Sequence, residues 1–370
     1  NFRLMGILSL LFILSAIVQA VYILFIFSRL WVYKDSTPSK EQPKVSIVVC
    51  ARNEKDNLTN LIPRLLAQNY PDFEVIIISD RSVDGTRDFV EKHYSEDLRF
   101  RFIEIEVLPD GWNGKKFALK QGVNTAQGEL ILLTDADCLP ASDLWVKNMV
   151  EQFTSEVSLV LGYSPYSKEN TFLNKIIRFE TVYTAMQYFS LSLSGMTYMG
   201  VGRNLAYRKQ TLAQAKALDT YRNLQGGDDD LTVQEVAPYS RTAIVIKESS
   251  QTLSIPKKTY KQWFLQKLRH LSAGKFYSSK SKLILGIFVM ANLGFYASFL
   301  LLVYLKSIHQ IIIIVFILRT LLIISNFVLI TRKLKDSLAW YWFPILDFFY
   351  YLNYLLVGVS ALFSRKVKWI

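Results

Sequence analysis

Residues 4–27 carry no Asp, Glu, Lys or Arg, and nearly every side chain among them is apolar. At about 1.5 Å of rise per residue, such a run crosses the hydrocarbon core of a bilayer as one helix. It is too long for the apolar part of a cleaved leader, and no small-x-small cleavage site follows it. Three further apolar stretches, 283–305, 308–330 and 338–363, close the chain. A chain built this way is held in a membrane at both ends, with a polar domain between them. Arg29, Lys34, Lys40 and Lys44 follow the first stretch, whereas Arg3 alone precedes it. That asymmetry puts the start outside and the domain in the cytoplasm. The basic loop 331–335 agrees with this orientation. The basic tail 364–368 does not, because four simple spans would leave it outside. Pro344 and Asp347 interrupt the last stretch, which is therefore expected to be re-entrant or to lie in the interface.

Between the apolar ends, strand-like and helix-like segments alternate. Residues 44–50, 73–79, 101–107 and 129–133 are short β-branched or aliphatic runs, and residues 57–68, 84–94 and 115–126 have helical character. The alternation predicts an α/β domain with a mainly parallel sheet. Ligands of such sheets bind at the carboxyl ends of the strands. The net charge is +12 over 370 residues. Because Lys and Arg border the apolar spans, anionic lipid accounts for it better than nucleic acid does. Cys50 and Cys138 are expected to be reduced thiols of a cytoplasmic domain. The three histidines show no metal-ligand spacing, which argues against a zinc site.

The polar residues with chemical promise fall at the strand ends. Thr134-Asp135-Ala136-Asp137 ends the fourth strand. Two carboxylates one residue apart suit a divalent cation that also grips a diphosphate, since hard cations take oxygen ligands and keep positions open for phosphate. Ala51-Arg52-Asn53-Glu54 follows the first strand, and residues 80–86 follow the second. A carboxylate there can accept from a base N–H or a ribose hydroxyl, although Ser82 and Asp84 equally suit a helix N-cap. Gly114 and Lys115 open the third helix, where backbone N–H groups and a positive charge suit phosphate. Gly200 and Gly202 permit close backbone approach. Asp228, Asp229 and Asp230 repel one another, so a buried member would have the raised pKa of a general base; an acidic helix start explains them as well. From Lys257 to Tyr277, aromatic and basic side chains interleave as in an interfacial helix. Residues 171–193 are aromatic and apolar, and are expected in the core in preference to the bilayer surface.

Together these ordered motifs, over residues 43–275 and the flanking spans, resemble the membrane-bound inverting glycosyltransferases of family 2. The resemblance implies a GT-A fold, Rossmann-like and mainly parallel, in a cytoplasmic domain flanked by transmembrane helices. It implies nucleotide contacts at Ala51, Asn53, Glu54, Asp80, Lys115 and Asp135, and Mn2+ or Mg2+ on Asp137 and Asp135. Asp228 falls on the catalytic base, with Asp229 and Asp230 behind it. Gln266, Arg269 and His270 fall on the family's Gln-x-x-Arg-Trp motif, and with Gly200, Gly202 and Asn204 make the acceptor and diphosphate side. Three positions depart from the family: Ser79 stands where a second acid is usual, Gly227 replaces Glu, and His270 replaces Trp. That Trp forms a sugar platform in polymerising members, and an imidazole offers less stacking area. Gly111-Trp112-x-Gly114-Lys115 looks like the subgroup that glycosylates lipids such as ceramide and carotenoids. The implied activity is transfer from a UDP-sugar to a membrane lipid hydroxyl at the cytoplasmic leaflet; the alternative is a processive polysaccharide synthase. The expected divisions are a membrane helix at 4–27, the transferase domain at 43–256, an interfacial segment at 257–279 and a membrane region at 283–363. An integral protein of a bacterial cytoplasmic membrane is implied, with no nucleic acid and no obligate protein partner.

Overall fold

The structure, a computed structural model, describes residues 2–35 and 37–363; the basic tail 364–368 lies outside the described residues. Helix α1 (Phe2–Tyr22) continues through a π turn into α2 (Ser28–Val32). Strands β1 (Val45–Ala51), β2 (Phe73–Asp80), β3 (Phe100–Ile105) and β4 (Leu130–Asp135) then alternate with α3 (Lys55–Leu66), α4 (Thr86–Tyr94) and α5 (Gly114–Thr125). Next come β5 (Cys138–Pro140), α6 (Trp145–Val150), β6 (Val157–Gly162), α7 (Phe172–Leu193), β7 (Leu205–Arg208), α8 (Lys209–Gln214) and α9 (Ala217–Thr220). The chain ends with α10 (Asp230–Val236), β8 (Arg241–Val245), β9 (Thr252–Ser254), α11 (Tyr260–Ala273), α12 (Ser279–Tyr304), α13 (Gln310–Lys333) and α14 (Phe343–Phe363). These elements form two compact units. Among the described residues, one comprises Lys34–Asn174 and Thr197–Phe276; the other comprises those up to Tyr33, Lys175–Met196 and those from Tyr277 to Phe363.

The first unit is built on a seven-stranded sheet in the order β3-β2-β1-β4-β7-β6-β8. Strands β3, β2, β1 and β4 are parallel, and β7 runs antiparallel to both its neighbours. Strands β1, β2 and β4 read as unbroken Val, Ile and Leu runs because helices cover both faces of a parallel sheet. Their apolar side chains are almost wholly enclosed. Helix α3 contributes Leu58, Leu61, Ile62 and Leu65, one stripe of a 3.6-residue period, to the same core. The chain moves outward from β1 to β3, then returns to lay β4 on the other side of β1. The loops leaving β1 and β4 therefore diverge, and a crevice opens at their carboxyl ends.

In the second unit, three helices among the described residues are long and apolar enough to cross a membrane: Phe2–Val32, Ser279–Tyr304 and Gln310–Lys333. The fourth expected stretch forms a short turn at Trp340–Trp342 followed by α14. Asp347, one of the two residues that suggested an interfacial or re-entrant path, is fully enclosed. Its Oδ2 accepts from Arg319 at 3.0 Å and from the Tyr296 hydroxyl at 2.5 Å. Arg319 also donates to Gln19 at 2.7 Å and to Asn292 at 2.9 Å. A polar knot thus joins α1, α12, α13 and α14 where isolated charges would be costly.

Two divisions differ from those expected. Most of residues 173–193 are buried, Phe172 is exposed, and from Lys175 onward α7 belongs to the helical unit and not to the sheet. Arg178 pairs with Asp336, and the Tyr183 and Tyr351 hydroxyls lie 2.9 Å apart. The segment 257–276, expected as a separate interfacial piece, groups with the sheet. Its helix α11 buries Trp263, Leu268 and Ala273 and leaves Tyr260 exposed.

Candidate active site

The loops after β1 and β2 are stitched to each other. Asn53 and Arg81 both adopt left-handed backbone conformations, φ 55° and 51°, which non-glycine residues rarely hold without compensation. The Asn53 N–H donates to Ser82 Oγ at 3.0 Å, and its side-chain oxygen accepts from the Val83 N–H at 2.9 Å. Asp84 accepts from the Lys55 N–H at 2.9 Å and from the Thr86 N–H at 3.1 Å, so it caps α3 and α4 together. Burial would raise its carboxyl, but the Thr86 hydroxyl and the backbone donors outweigh it and hold it below the ordinary value. Asn53, Glu54, Lys55, Asn57 and Asp84 line an open polar recess of about 490 Å³. Ala51 is enclosed at the end of β1.

Asp80 closes β2. It is buried, and the Arg81 guanidinium takes both its oxygens, at 2.7 and 3.1 Å. Gly114 lies against the same carboxylate: a Cβ there would fall 1.9 Å from Asp80 Oδ2. In this arrangement each Asp80 oxygen already accepts one hydrogen bond from Arg81 and keeps capacity for another.

The acidic side of the crevice gathers around Lys115. Its Nζ lies 2.9 Å from Asp135 and 3.2 Å from Asp228, so one ammonium bridges the end of β4 to the segment before α10. Burial alone would lower Lys115, but Asp135, Asp228 and Asp229 outweigh it and hold it well above its ordinary value. Burial raises Asp137, and repulsion from Asp135 adds to it, while Lys257 and Arg203 pull the other way. Glu54 is raised by burial, relieved by a hydrogen bond from Asn57, and raised again by Asp137 and Asp135. Three carboxyls thus press on one another in the crevice. No three such ligands lie close enough among the described residues to hold an ion by themselves. Asp135 and Asp137 can supply two oxygens, with phosphate and water completing the shell, as Mg2+ or Mn2+ commonly accepts. The mutual repulsion is what a divalent cation would relieve, and the residues fit one.

The three adjacent acids are not alike. Gly226 and Gly227 both have positive φ, 95° and 72°, so a left-handed turn delivers the chain to Asp228. That turn is the physical reason for Gly at 227, where the resembling family has Glu. Burial raises Asp228, but Lys115 and Lys116 outweigh it, so its carboxyl sits below the ordinary value. The raised acid is Asp229, pushed up by burial and by Asp228. Asp229 is also tied down, accepting from the Gly202 N–H at 2.8 Å and the Asp230 N–H at 2.9 Å. The expected raised pKa therefore falls on Asp229, while Asp228 is the ionised carboxylate beside Lys115.

On the far side, Gly202 serves Asp229, and Gly200 packs against Leu205 and Leu161. Asn204 is fully buried: it accepts from Trp145 Nε1 at 2.9 Å and donates to the carbonyls of Tyr163 and Ser250, both at 2.8 Å. It braces the core and does not face a ligand. Gln266 donates to the Tyr166 hydroxyl at 3.4 Å. Arg269 lies beside the Gly226 turn. His270 keeps accessible surface, yet it lies among Lys267, Arg269, Arg203 and Lys115. Loss of water on its inner side, and then those positive charges, hold its imidazole well below the ordinary value. Cys50 lies among the same charged groups, and burial pushes its thiol up to about 12. Both cysteines are free.

Arg203 and Tyr166 also belong to this edge, and no expected contact included them. Arg203 stands over the Tyr166 ring, 4.4 Å from its centroid. The signal was an arginine directly after Gly202, overlooked beside the glycines themselves.

Comparison with known proteins gives a concordant result. The family model described as Glycosyl transferase family 2 matches residues 46–213. Poly-beta-1,6-N-acetyl-D-glucosamine synthase of Staphylococcus epidermidis is 27% identical over 212 residues, 55% of this chain and 49% of that protein. Beta-monoglucosyldiacylglycerol synthase of Nostoc sp. is 36% identical over 107 residues, 28% of this chain and 22% of that protein. The chain spans about half the length, or less, of the curated relatives it matches. The solved mannosyltransferase PcManGT from Pyrobaculum calidifontis, in complex with GDP-Man and Mn2+, matches with a TM-score of 0.62 at 18% identity. That match covers 96% of this chain and 100% of that one.

Proposed function

Because the chain carries a glycosyl transferase family 2 domain on a GT-A fold with three candidate membrane helices, we propose that it moves a sugar from a UDP-sugar to a hydroxyl of a membrane lipid, with inversion. The observation that carries this reading is Lys115 bridging Asp135 and Asp228. It brings a diphosphate-side carboxylate and a base within reach of one another at the crevice. Asp228, ionised by its lysine neighbours, takes the proton of the acceptor hydroxyl as that oxygen attacks the anomeric carbon. Asp135 and Asp137 would hold a divalent cation, which would supply charge neutralisation for the leaving diphosphate. The recess at Asn53, Glu54 and Asp84 takes the nucleoside. Glycosylation of lipid is supported by the membrane helices, by His270 in place of a stacking Trp, and by the similarity to a monoglucosyldiacylglycerol synthase. The basic flank of the first span supports a cytoplasmic domain in a bacterial membrane.

The longer similarity, over 212 residues, is to a poly-N-acetylglucosamine synthase, and it favours a second reading, processive synthesis of a polysaccharide. The two separate on product length. Purified protein is given Mn2+, a panel of UDP-sugars and a total lipid extract, and the organic phase is analysed by mass spectrometry. A lipid gaining one sugar mass is the expected result; a ladder of oligomers would transfer the case to the synthase. Asp228→Asn is expected to abolish transfer while UDP binding survives. Equal loss of both would remove Asp228 as the base.

A further inference from the structure

The cations of the crevice differ in how they are held. Lys115 is engaged by Asp135 and Asp228. Lys116 is buried and donates to the Tyr221 carbonyl at 2.9 Å. Each of these has a local partner that explains its place.

Arg203 has none of that kind. Among the described residues it forms no ion pair, and its Nη1 is enclosed without a hydrogen-bond acceptor. Its head is held by the face of Tyr166. Its backbone is fixed on both sides: its carbonyl accepts from the Thr252 hydroxyl at 2.9 Å, and Gly202 before it is bound to Asp229. Asn204 after it is locked into the core. Tyr166 is fixed in turn, bridged to Ser254 through the backbone and to Gln266 through its hydroxyl. Its guanidinium is stacked on Tyr166 with Nη1 enclosed and unpartnered, and it lies close enough to Asp135 and Asp137 of the crevice to feel their charge without pairing directly with either. A fork of donors of this sort matches a phosphate in two parallel hydrogen bonds.

We propose that Arg203 grips the donor diphosphate and receives the charge that develops on it, with Tyr166 as its positioning residue. The inference rests on the nucleotide-sugar reading above. In the transfer, the bond between the anomeric carbon and the phosphate oxygen breaks, and its electron pair goes to that oxygen, which accepts hydrogen bonds from Arg203. The acceptor oxygen forms the new bond, and its proton goes to Asp228. Gln266 then acts through Tyr166, which gives the Gln-x-x-Arg helix a route to the leaving group besides Arg269.

The test is a binding series on the full chain in detergent, with uridine, UMP and UDP in Mn2+ by titration calorimetry, and guanosine, GMP and GDP in parallel. In Arg203→Met the UDP affinity is expected to fall at least tenfold, while the uridine affinity changes less than twofold. Tyr166→Leu is expected to lower UDP affinity by a smaller factor, and Tyr166→Phe, which keeps the ring, to restore it. An unchanged ratio of UDP to uridine affinity in Arg203→Met overturns the proposal. Arg203→Gln, judged on the same ratio, replaces it if the Met variant does not fold. If the unaltered protein binds neither series, the nucleotide-sugar reading itself falls, and this inference with it.

Discussion

Lys115→Met would test the ionised-base arrangement directly. Burial would raise the Asp228 carboxyl, and Lys115 and Lys116 bring it below the ordinary value. A general base works deprotonated, so activity is lost as pH falls through its pKa. Removing Lys115 raises that pKa and moves the acid limb of the pH profile to higher pH. At the observed 3.2 Å, a pair of unit charges interacts by about 1.3 kcal/mol in bulk water and about 5 kcal/mol at an effective dielectric constant near 20. One pH unit corresponds to about 1.4 kcal/mol. The Lys115 charge is shared with Asp135 and its side chain is 27% exposed, which favours the lower part of that range. The expected displacement is about one to two pH units. The measurement is kcat/KM for the donor, followed as nucleoside diphosphate release across the acid range, since that ratio reports the free enzyme. A uniform drop at every pH, with the limb unmoved, would refute the reasoning: Lys115 would then act on the donor alone, and Asp228 would not be the titrating base. A limb displaced to lower pH would contradict the sign.

Asn204→Ala leaves the Trp145 indole N–H and two carbonyls without partners, and is expected to cost about 2–4 kcal/mol of stability. A lowered thermal midpoint with donor KM within twofold of the parent identifies a core brace; a selective KM effect would return Asn204 to the binding site. Chelation by EDTA is expected to weaken UDP binding about tenfold in the parent and to leave Asp137→Asn unaffected, if Asp137 is one of the two ligands of the proposed cation; equal sensitivity of both proteins would dismiss Asp137 as a ligand. In the helical unit, Arg319→Met leaves Asp347 buried and unpaired, at an expected cost of about 3–5 kcal/mol. Arg319→Met with Asp347→Leu should recover most of that loss in a denaturation titration of the detergent-solubilised protein, and a double variant as weak as the single would show that the pair is not what joins these helices.

What could be read ahead of the structure was what local pattern controls. Strands β1, β2 and β4 announce themselves because a parallel sheet covered on both faces needs continuous Val, Ile and Leu runs. The placement of the chemistry at strand ends follows from the same topology. What escaped depends on partners far away in the chain. Residues 171–193 are apolar enough for any core, and nothing local says that α7 joins the membrane helices through pairs such as Arg178 with Asp336. Asp80 reads as an open strand-end carboxylate, and nothing local says that the left-handed backbone at Arg81 folds its guanidinium back upon it. Asn204 looks like part of a glycine-flanked ligand loop until Trp145, 59 residues earlier, is found on its side chain.

The acidic run Asp228-Asp229-Asp230 shows most clearly why residue type alone is insufficient. Three identical carboxyls in a row have identical intrinsic chemistry, and repulsion alone predicts a raised pKa without saying which member carries it. The double-glycine turn at Gly226 and Gly227 decides the matter by rotating successive side chains into different surroundings. Asp228 meets Lys115, and Asp229 meets the Gly202 N–H. One site thereby receives an ionised, solvent-poor carboxylate beside a cation, and its neighbour becomes an anchor for the loop that carries Arg203. Substituting Gly227 by any residue with a Cβ would strain that turn against Ala273 and Leu231. It would disturb the proposed base and the proposed diphosphate clamp together, although neither residue would have been changed.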